Sequence, residues 1–170
     1  ENLAYLPSVS PSVEKSETEP RFYVYDYNGT DAVAARASAF YSTYGTLYNW
    51  EAAKTACPSG WHLPSDEEWK ILEKYLGMSS LDADNTGWRN SGLVGKRLKS
   101  QTGWQNNGNG TDSEGFKALP SGSNSANMFY GLGQLGIFWS SSPYESSEAW
   151  GRTLTYEYLG VRRFNDLRNS

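Results

Sequence analysis

The chain has 170 residues and a formal net charge of -4. That is long enough for one domain with a sizeable core, and too acidic for a partner gripped by its phosphate backbone, which needs clustered Lys and Arg. Lys96-Arg97-Leu98-Lys99 and Arg162-Arg163 are the nearest approaches to a basic cluster and are too small to outweigh this balance. Aromatic residues reach 15% against 20% charged, with seven Trp and twelve Tyr, so rings must supply much of the burial. Cys57 is the only cysteine, which excludes an intramolecular disulfide, a CxxC redox pair and a thiolate metal cage within these residues. No apolar run approaches membrane-spanning length.

Residues 1–6 are expected as an edge strand, and Pro7 to Pro20, rich in Ser, Glu and Pro, as a mobile surface loop inserted after it. From Arg21 to Tyr27, Phe22 and Val24 alternate with Tyr23, Tyr25 and Tyr27, which predicts a strand stopped by the Asn28-Gly29 turn signal. The Ala-rich run Asp31 to Phe40 predicts a short helix. The chain then reaches the stretch around which it is organised, Tyr44 to Leu76. Asn49 is suited to cap a helix over Trp50 to Ala56, which Pro58-Ser59-Gly60 ends. Ser65 and Glu68 form a capping box for a second helix, with Asp66 and Glu67 placed as partners of its positive end. Trp69, Leu72 and Leu76 make one apolar stripe on that helix and Gly77 terminates it. Between the helices, Gly60-Trp61-His62-Leu63-Pro64 predicts a short buried turn.

Asp82 to Trp104 has no sustained period and reads as loops plugged by aromatic side chains. Gln105 to Glu114 is polar and turn-prone, Gly115 to Leu119 a short strand stopped by Pro120, and Ser121 to Gly136 a long Gly/Asn/Ser loop. Ile137-Phe138-Trp139 is a buried-strand candidate broken by Ser140 to Pro143. Trp150 to Tyr156 alternates Trp150, Leu154 and Tyr156 on one face, with Arg152 among them. Val161 to Phe164 returns as its hairpin partner across Glu157 to Gly160. Early helices followed by short strands and long loops describe a single α+β domain, two helices packed on small antiparallel sheets.

The residues YGTLYNWEAAKTACPSGWHLPSDEEWKIL resemble the Fibrobacter succinogenes major paralogous domain family. Further matches follow in family order: Glu1-Asn2-Leu3, Gly115-Phe116-Lys117-Ala118-Leu119-Pro120, Phe129-Tyr130-Gly131-Leu132-Gly133, Phe138-Trp139-Ser140-Ser141-Ser142 and Ala149-Trp150. The resemblance implies a C-type-lectin-like fold and an extracytoplasmic bacterial protein, at the cell surface or in the periplasm. Family members end in a strand with a Gly-Phe-Ser-Val-Arg-Cys-like sequence, and this chain stops at Asn169-Ser170 where that strand begins. By the resemblance the chain is therefore expected to be truncated at both ends and Cys57 to have lost a disulfide partner. His62-Leu63-Pro64-Ser65-Asp66-Glu67-Glu68-Trp69 also resembles the Arg-Leu-Pro-Thr-Glu-Ala-Glu-Trp signature of formylglycine-generating enzymes. That chemistry activates oxygen through copper held by paired cysteines, which a lone Cys57 does not supply, so the shared motif marks folding rather than catalysis.

Catalytic signals are otherwise weak. His62 is the only imidazole, no GxSxG pattern accompanies it, and a structural role in its turn is the favoured reading. Asp66, Glu67 and Glu68 are explained by capping, and nothing selects Asp112, Glu114, Glu145 or Glu148 as a glycosidase pair. No cofactor is expected. Asn106, Asn107, Asn109, Asp112 and Glu114 offer hard oxygen ligands for calcium, but lack EF-hand spacing and the triplets of sugar-binding lectins, so a solvated turn is preferred there. The Asn-Gly-Thr sequons at Asn28 and Asn109 read as turns.

Recognition is the better signal. Ser142, Tyr144 and Glu145 combine a ring with small hydroxyls, the composition of adaptable binding surfaces. Asn127 and Tyr130 belong to a second such loop, and Tyr158 and Arg162 lie near the last hairpin turn. These three regions are candidates to converge on one face. The expected function is a non-catalytic module that binds a glycan or protein ligand at the cell surface. An assembly domain of an adhesin or fibre is second, and an enzyme of the formylglycine-generating type third.

Overall fold

The computed structural model describes residues 2–169. Glu1 lies outside them, and residues 2–6, expected as an edge strand, carry no ladder. The predicted strand of Arg21 to Tyr27 shrinks to β1 (Phe22–Tyr23), because Tyr27 N already turns back to Val24 O and Asp26 sits at φ 60°. The Ala-rich run forms two helices instead of one, α1 (Ala32–Arg36) and α2 (Ala39–Tyr44). Ser38 is the reason: its side chain accepts from Tyr41 N and caps a fresh start. β2 (Leu47–Tyr48) pairs with β1 in a separate small ladder.

Asn49 caps α3 (Trp50–Thr55) as predicted, and does more. Its Oδ1 accepts from Arg21 N and Ala52 N, while Nδ2 donates to Ser16 O and Glu19 O, all within 2.8 to 3.0 Å. One fully buried amide thus uses its whole hydrogen-bonding capacity to tie the helix start to the irregular Pro7 to Pro20 segment. The same segment buries Val9, next to Leu6 just before it, beside Phe22, Val24, Ala35 and Ala52, and its Lys15 Nζ reaches Asn124 O. Asn49→Ala is expected to cost about 2 kcal/mol, since the helix loses its cap and four backbone groups, one of them buried, lose their partner. Trypsin cleavage at Lys15 should accelerate in parallel, and an unchanged cleavage rate would show that the segment is held by other contacts.

α4 (Asp66–Tyr75) carries the full capping box, Ser65 Oγ accepting from Glu68 N and Glu68 Oε2 from Ser65 N. Trp69 and Leu76 are buried along the predicted stripe. The span expected to be irregular holds α5 (Ser80–Asp84), β3 (Gly87–Arg89), a tight 3-10 turn at Ser91–Leu93 and α6 (Val94–Leu98). Elements of three to five residues are too short to establish a period, although Ser79, which accepts from Asp82 N, was a readable cap. The supposed strand at Gly115 to Leu119 makes only the Ala118 to Lys99 bridge.

Ser121 to Gly136, read as a loop, is largely the hairpin of β4 (Ser121–Ser125) and β5 (Met128–Leu132). Nothing in Ser-Gly-Ser-Asn-Ser favours a strand intrinsically, but Ala126 and Asn127 both adopt positive φ and close a tight two-residue turn. β6 (Leu135–Pro143) runs through the expected break, and β7 (Glu148–Thr155) pairs with β8 (Val161–Leu167) as predicted. The strands order as β3-β8-β7-β6-β4-β5, with β4 parallel to β6 and the other pairs antiparallel. The domain is α+β, and its main sheet is six-stranded and mixed rather than small and wholly antiparallel.

Between α4 and this sheet lies a buried charge network. Capping does not account for Asp66: Arg163 grips its carboxylate through Nε at 3.0 Å and Nη2 at 2.7 Å, and Arg152 Nη1 adds a bond of 2.8 Å. Two turns further on the same helix face, Glu73 accepts from Arg152 Nε at 2.6 Å and from both terminal nitrogens of Arg89. Arg152 and Glu73 are fully buried. Burial alone would raise the Asp66 carboxyl, but its bonds to Arg163 and Arg152 outweigh it and hold the group below the usual carboxylate range.

Candidate functional site

A cavity of about 650 Å³ opens beside the connection between α3 and α4. Its size falls among ligand pockets, which span roughly 300–1,000 Å³. Ala53, Ala56, Cys57 and Pro58 bring the end of α3 to one wall, and Leu63 and Pro64 continue it. Ring faces come from Tyr23, Tyr48, Phe116, Phe138 and Trp139, with Trp69 of α4 behind them. The polar share is small; it includes Ser121, Ser123 and Asn124 of β4, with Asn2, Thr46, His62 and Asp166 from elsewhere. Burial pushes the Tyr23 phenol up to about 12 and raises Tyr48 too, so both hydroxyls stay neutral. Burial also raises the half-buried Cys57 thiol, which makes it a poor nucleophile.

Trp61 stands at the mouth, 78% exposed. The buried turn expected for Gly60 to Pro64 is therefore corrected: Trp61 N donates to Pro58 O and Gly60 takes φ +85°, a turn that throws the indole outward. Leu63 alone tucks in, against the cluster of Trp50, Ala53, Trp139 and Ala149. His62 is also exposed, and Nε2 lies 2.8 Å from Glu68 Oε1. The backbone N–H of Ser65, with His62 second, pulls the Glu68 carboxyl down to about 2. The only imidazole is thus a partner of a helix cap.

None of the seven residues predicted for ligand binding lines this cavity. Ser142 Oγ accepts from Asp66 N and serves as a further cap of α4. Tyr144 is exposed on the β6–β7 turn, edge-on to Trp150 at 4.7 Å, and the Trp150 ring carries the Arg163 guanidinium at 3.7 Å. Glu145 contributes its carbonyl to Arg168. Asn127 occupies the β4–β5 turn, where its carbonyl accepts from Ser12 Oγ, and Tyr130 is exposed on β5. Tyr158 stacks on Trp88 at 4.2 Å, and Arg162 is the cross-strand partner of Trp88. The eight residues of β7 separate the Tyr144 turn from the Tyr158 turn, so these regions sit at opposite ends of the sheet and do not converge.

The family model of the Fibrobacter succinogenes major domain matches residues 1–168. The chain belongs to that family. No curated protein and no solved structure matches it. In this Fibrobacter succinogenes major domain three of the five side chains weighed for calcium, Asn109, Asp112 and Glu114, already accept from protein donors. Asn109 Oδ1 accepts from Trp104 N, Asp112 Oδ1 from Lys117 N, and Glu114 Oε1 from Arg97 Nη2. Among the described residues no group of three His, Cys, Asp or Glu side chains is disposed to hold an ion, and no helix is long and apolar enough to cross a membrane. What sequence reasoning missed is the cavity wall itself. The usable signal was Trp61 between Gly60 and Pro64, a large ring in a segment with no partner nearby in sequence.

Proposed function

We propose that this domain is a non-catalytic recognition module of a bacterial surface or periplasmic protein, built on a C-type-lectin-like fold. Its ligand, a glycan or a protein segment, enters the cavity beside Trp61. The observation that carries this reading is the cavity, walled by rings and furnished with few polar groups, as binding pockets are. The buried carboxylates favour a binding role over acid–base chemistry, because Asp66 and Glu73 are both neutralised by arginines. A second reading, an assembly domain, draws on exposed Ile71 and Tyr75, which lie one turn apart on the outer face of α4.

The test is binding of the folded domain to arrays of bacterial, plant and host polysaccharides and to displayed peptides, beside Trp61→Ala and Tyr144→Ala. Trp61→Ala is expected to weaken binding about tenfold, the worth of one ring contact, without shifting the thermal midpoint. Loss in Tyr144→Ala with Trp61→Ala unaffected would move the site to the β6–β7 turn. Self-association of the domain at micromolar concentration, abolished by Ile71→Asp, would favour the assembly reading.

A further inference from the structure

The rings that wall the cavity present carbon to it, because their polar atoms are bonded to the protein. Tyr23 Oη donates to Glu14 O at 2.7 Å and Tyr48 Oη to Tyr5 O at 3.0 Å. Trp69 Nε1 donates to Trp139 O, and Trp139 Nε1 to Tyr48 O. Main-chain groups along the same walls are taken as well: those two carbonyls by the indoles, Asn124 O by Lys15 Nζ, and Thr46 N by Leu3 O. A sugar unit or a stretch of peptide buried whole here would leave most of its own polar groups unpaired, with a penalty for each.

The charge of the lining is one-sided. No Lys or Arg occurs among the described residues that line the cavity, and Asp166 is their single carboxylate. Asp166 pairs with Ala149 across the β7–β8 ladder, and Trp139 pairs with Gly151, two residues along β7, so Asp166 and Trp139 share a face of the sheet. Asp166 Oδ1 accepts from Leu167 N at 2.8 Å, and the carboxylate has no ion-pair partner among the described residues. Asn124 Oδ1, on a buried residue of the same lining, is an acceptor without a donor and adds partial negative charge. His62 at the mouth is faced by Glu68 Oε1, 2.8 Å away. Ring faces with a lone negative charge on their wall complement a positive, weakly hydrated group.

We infer that the group taken into this cavity is a fully alkylated ammonium, its methyl groups against the rings and its charge balanced by Asp166. This rests on the recognition reading and names the chemical group that the ligand carries into the site. A cation over a ring face is held by the ring's quadrupole and needs no hydrogen bond. A primary ammonium, by contrast, brings three N–H donors to walls whose carbonyls are occupied. A carboxylate or phosphate would meet Asp166 with no Lys or Arg to receive it.

The test titrates the domain by calorimetry with choline and with its uncharged isostere, in which tert-butyl replaces trimethylammonium; circular dichroism confirms that each preparation is folded. Choline should bind about tenfold more tightly than the isostere, and ethanolamine, a primary ammonium, no more tightly than the isostere. Asp166→Asn keeps an acceptor for Leu167 N and removes the charge, so it should weaken choline about fivefold and leave the isostere unchanged. Equal binding of choline and isostere, undiminished choline binding by Asp166→Asn, or no choline binding by the folded domain overturns the inference. Capture of a polysaccharide or displayed peptide that choline does not displace would overturn it and leave the recognition reading standing, whereas a folded domain that captures none of these would remove both.

Discussion

Asp66→Ala is expected to destabilise the domain by about 3–5 kcal/mol, read as a large fall in the urea midpoint. Removing one partner of a buried ion pair leaves the others charged and unsolvated. Here Arg163 would lose the carboxylate it grips, and Arg152 would be left with Glu73 alone. The same residue sets an acid limit. Its folded pKa is depressed, so its contribution is fully present above the unfolded value near about 3.9 and is lost as pH falls through the lower folded value. The wild-type midpoint should therefore drop steeply below about pH 4, and the Asp66→Ala variant should lack that part of the decline. A loss under about 1 kcal/mol would show that water or Glu73 takes over the arginines. A double-mutant cycle between Asp66 and Arg163 would then give no coupling.

Trp69→Ala should cost a similar amount, about 3–5 kcal/mol, the usual penalty for emptying an aromatic site in a core. The indole sits among Phe116 at 5.8 Å, Phe138 at 6.2 Å and the Arg152 guanidinium at 5.8 Å. Its Nε1 donates to Trp139 O at 3.3 Å. For a chain of this length each kcal/mol lowers the thermal midpoint by roughly 2–4 °C, so a fall of about 10 °C is expected. Trp69 also stands behind the cavity, and ligand binding should disappear along with stability. Trp69→Phe, which keeps a ring and loses the indole donor, should recover most of the midpoint. If Trp69→Phe is as damaging as Trp69→Ala, the hydrogen bond and not the packing is decisive.

What could be read in advance was what is local. Asn49 and Ser65 announce their helices because a cap acts on backbone three residues away, and Trp69, Leu72 and Leu76 repeat within one element. The β7–β8 hairpin was legible for the same reason. The β4–β5 hairpin was not, because Ser-Gly-Ser-Asn-Ser has no preference for a strand and is held there by β5 and by the Gly122 to Gly136 bridge. Asp66 was legible only as a helix-start residue. The hint lay elsewhere: the alternation of β7 placed Arg152 on the face of Trp150 and Leu154, and an arginine on a buried face needs a carboxylate. The family was identified correctly from motifs such as the one around Trp61, while the exposure of that ring follows from a turn set by Gly60.

The arginine network also constrains when the domain forms. Asp66 and Arg163 are 97 residues apart in the chain, and Glu73 and Arg152 are 79 apart. Glu73 has Arg89 within 16 residues, but neither carboxylate meets Arg152 or Arg163 until β7 and β8 have been synthesised. Contacts of such long range close large loops before they yield any stabilisation, which slows folding relative to a helical bundle of the same size. A nascent chain halted after α6 would hold Asp66, Glu73 and Arg89 but neither Arg152 nor Arg163. The first half of this protein is thus committed to wait for the second, with its charges in water and its helices marginal, until β7 and β8 arrive together.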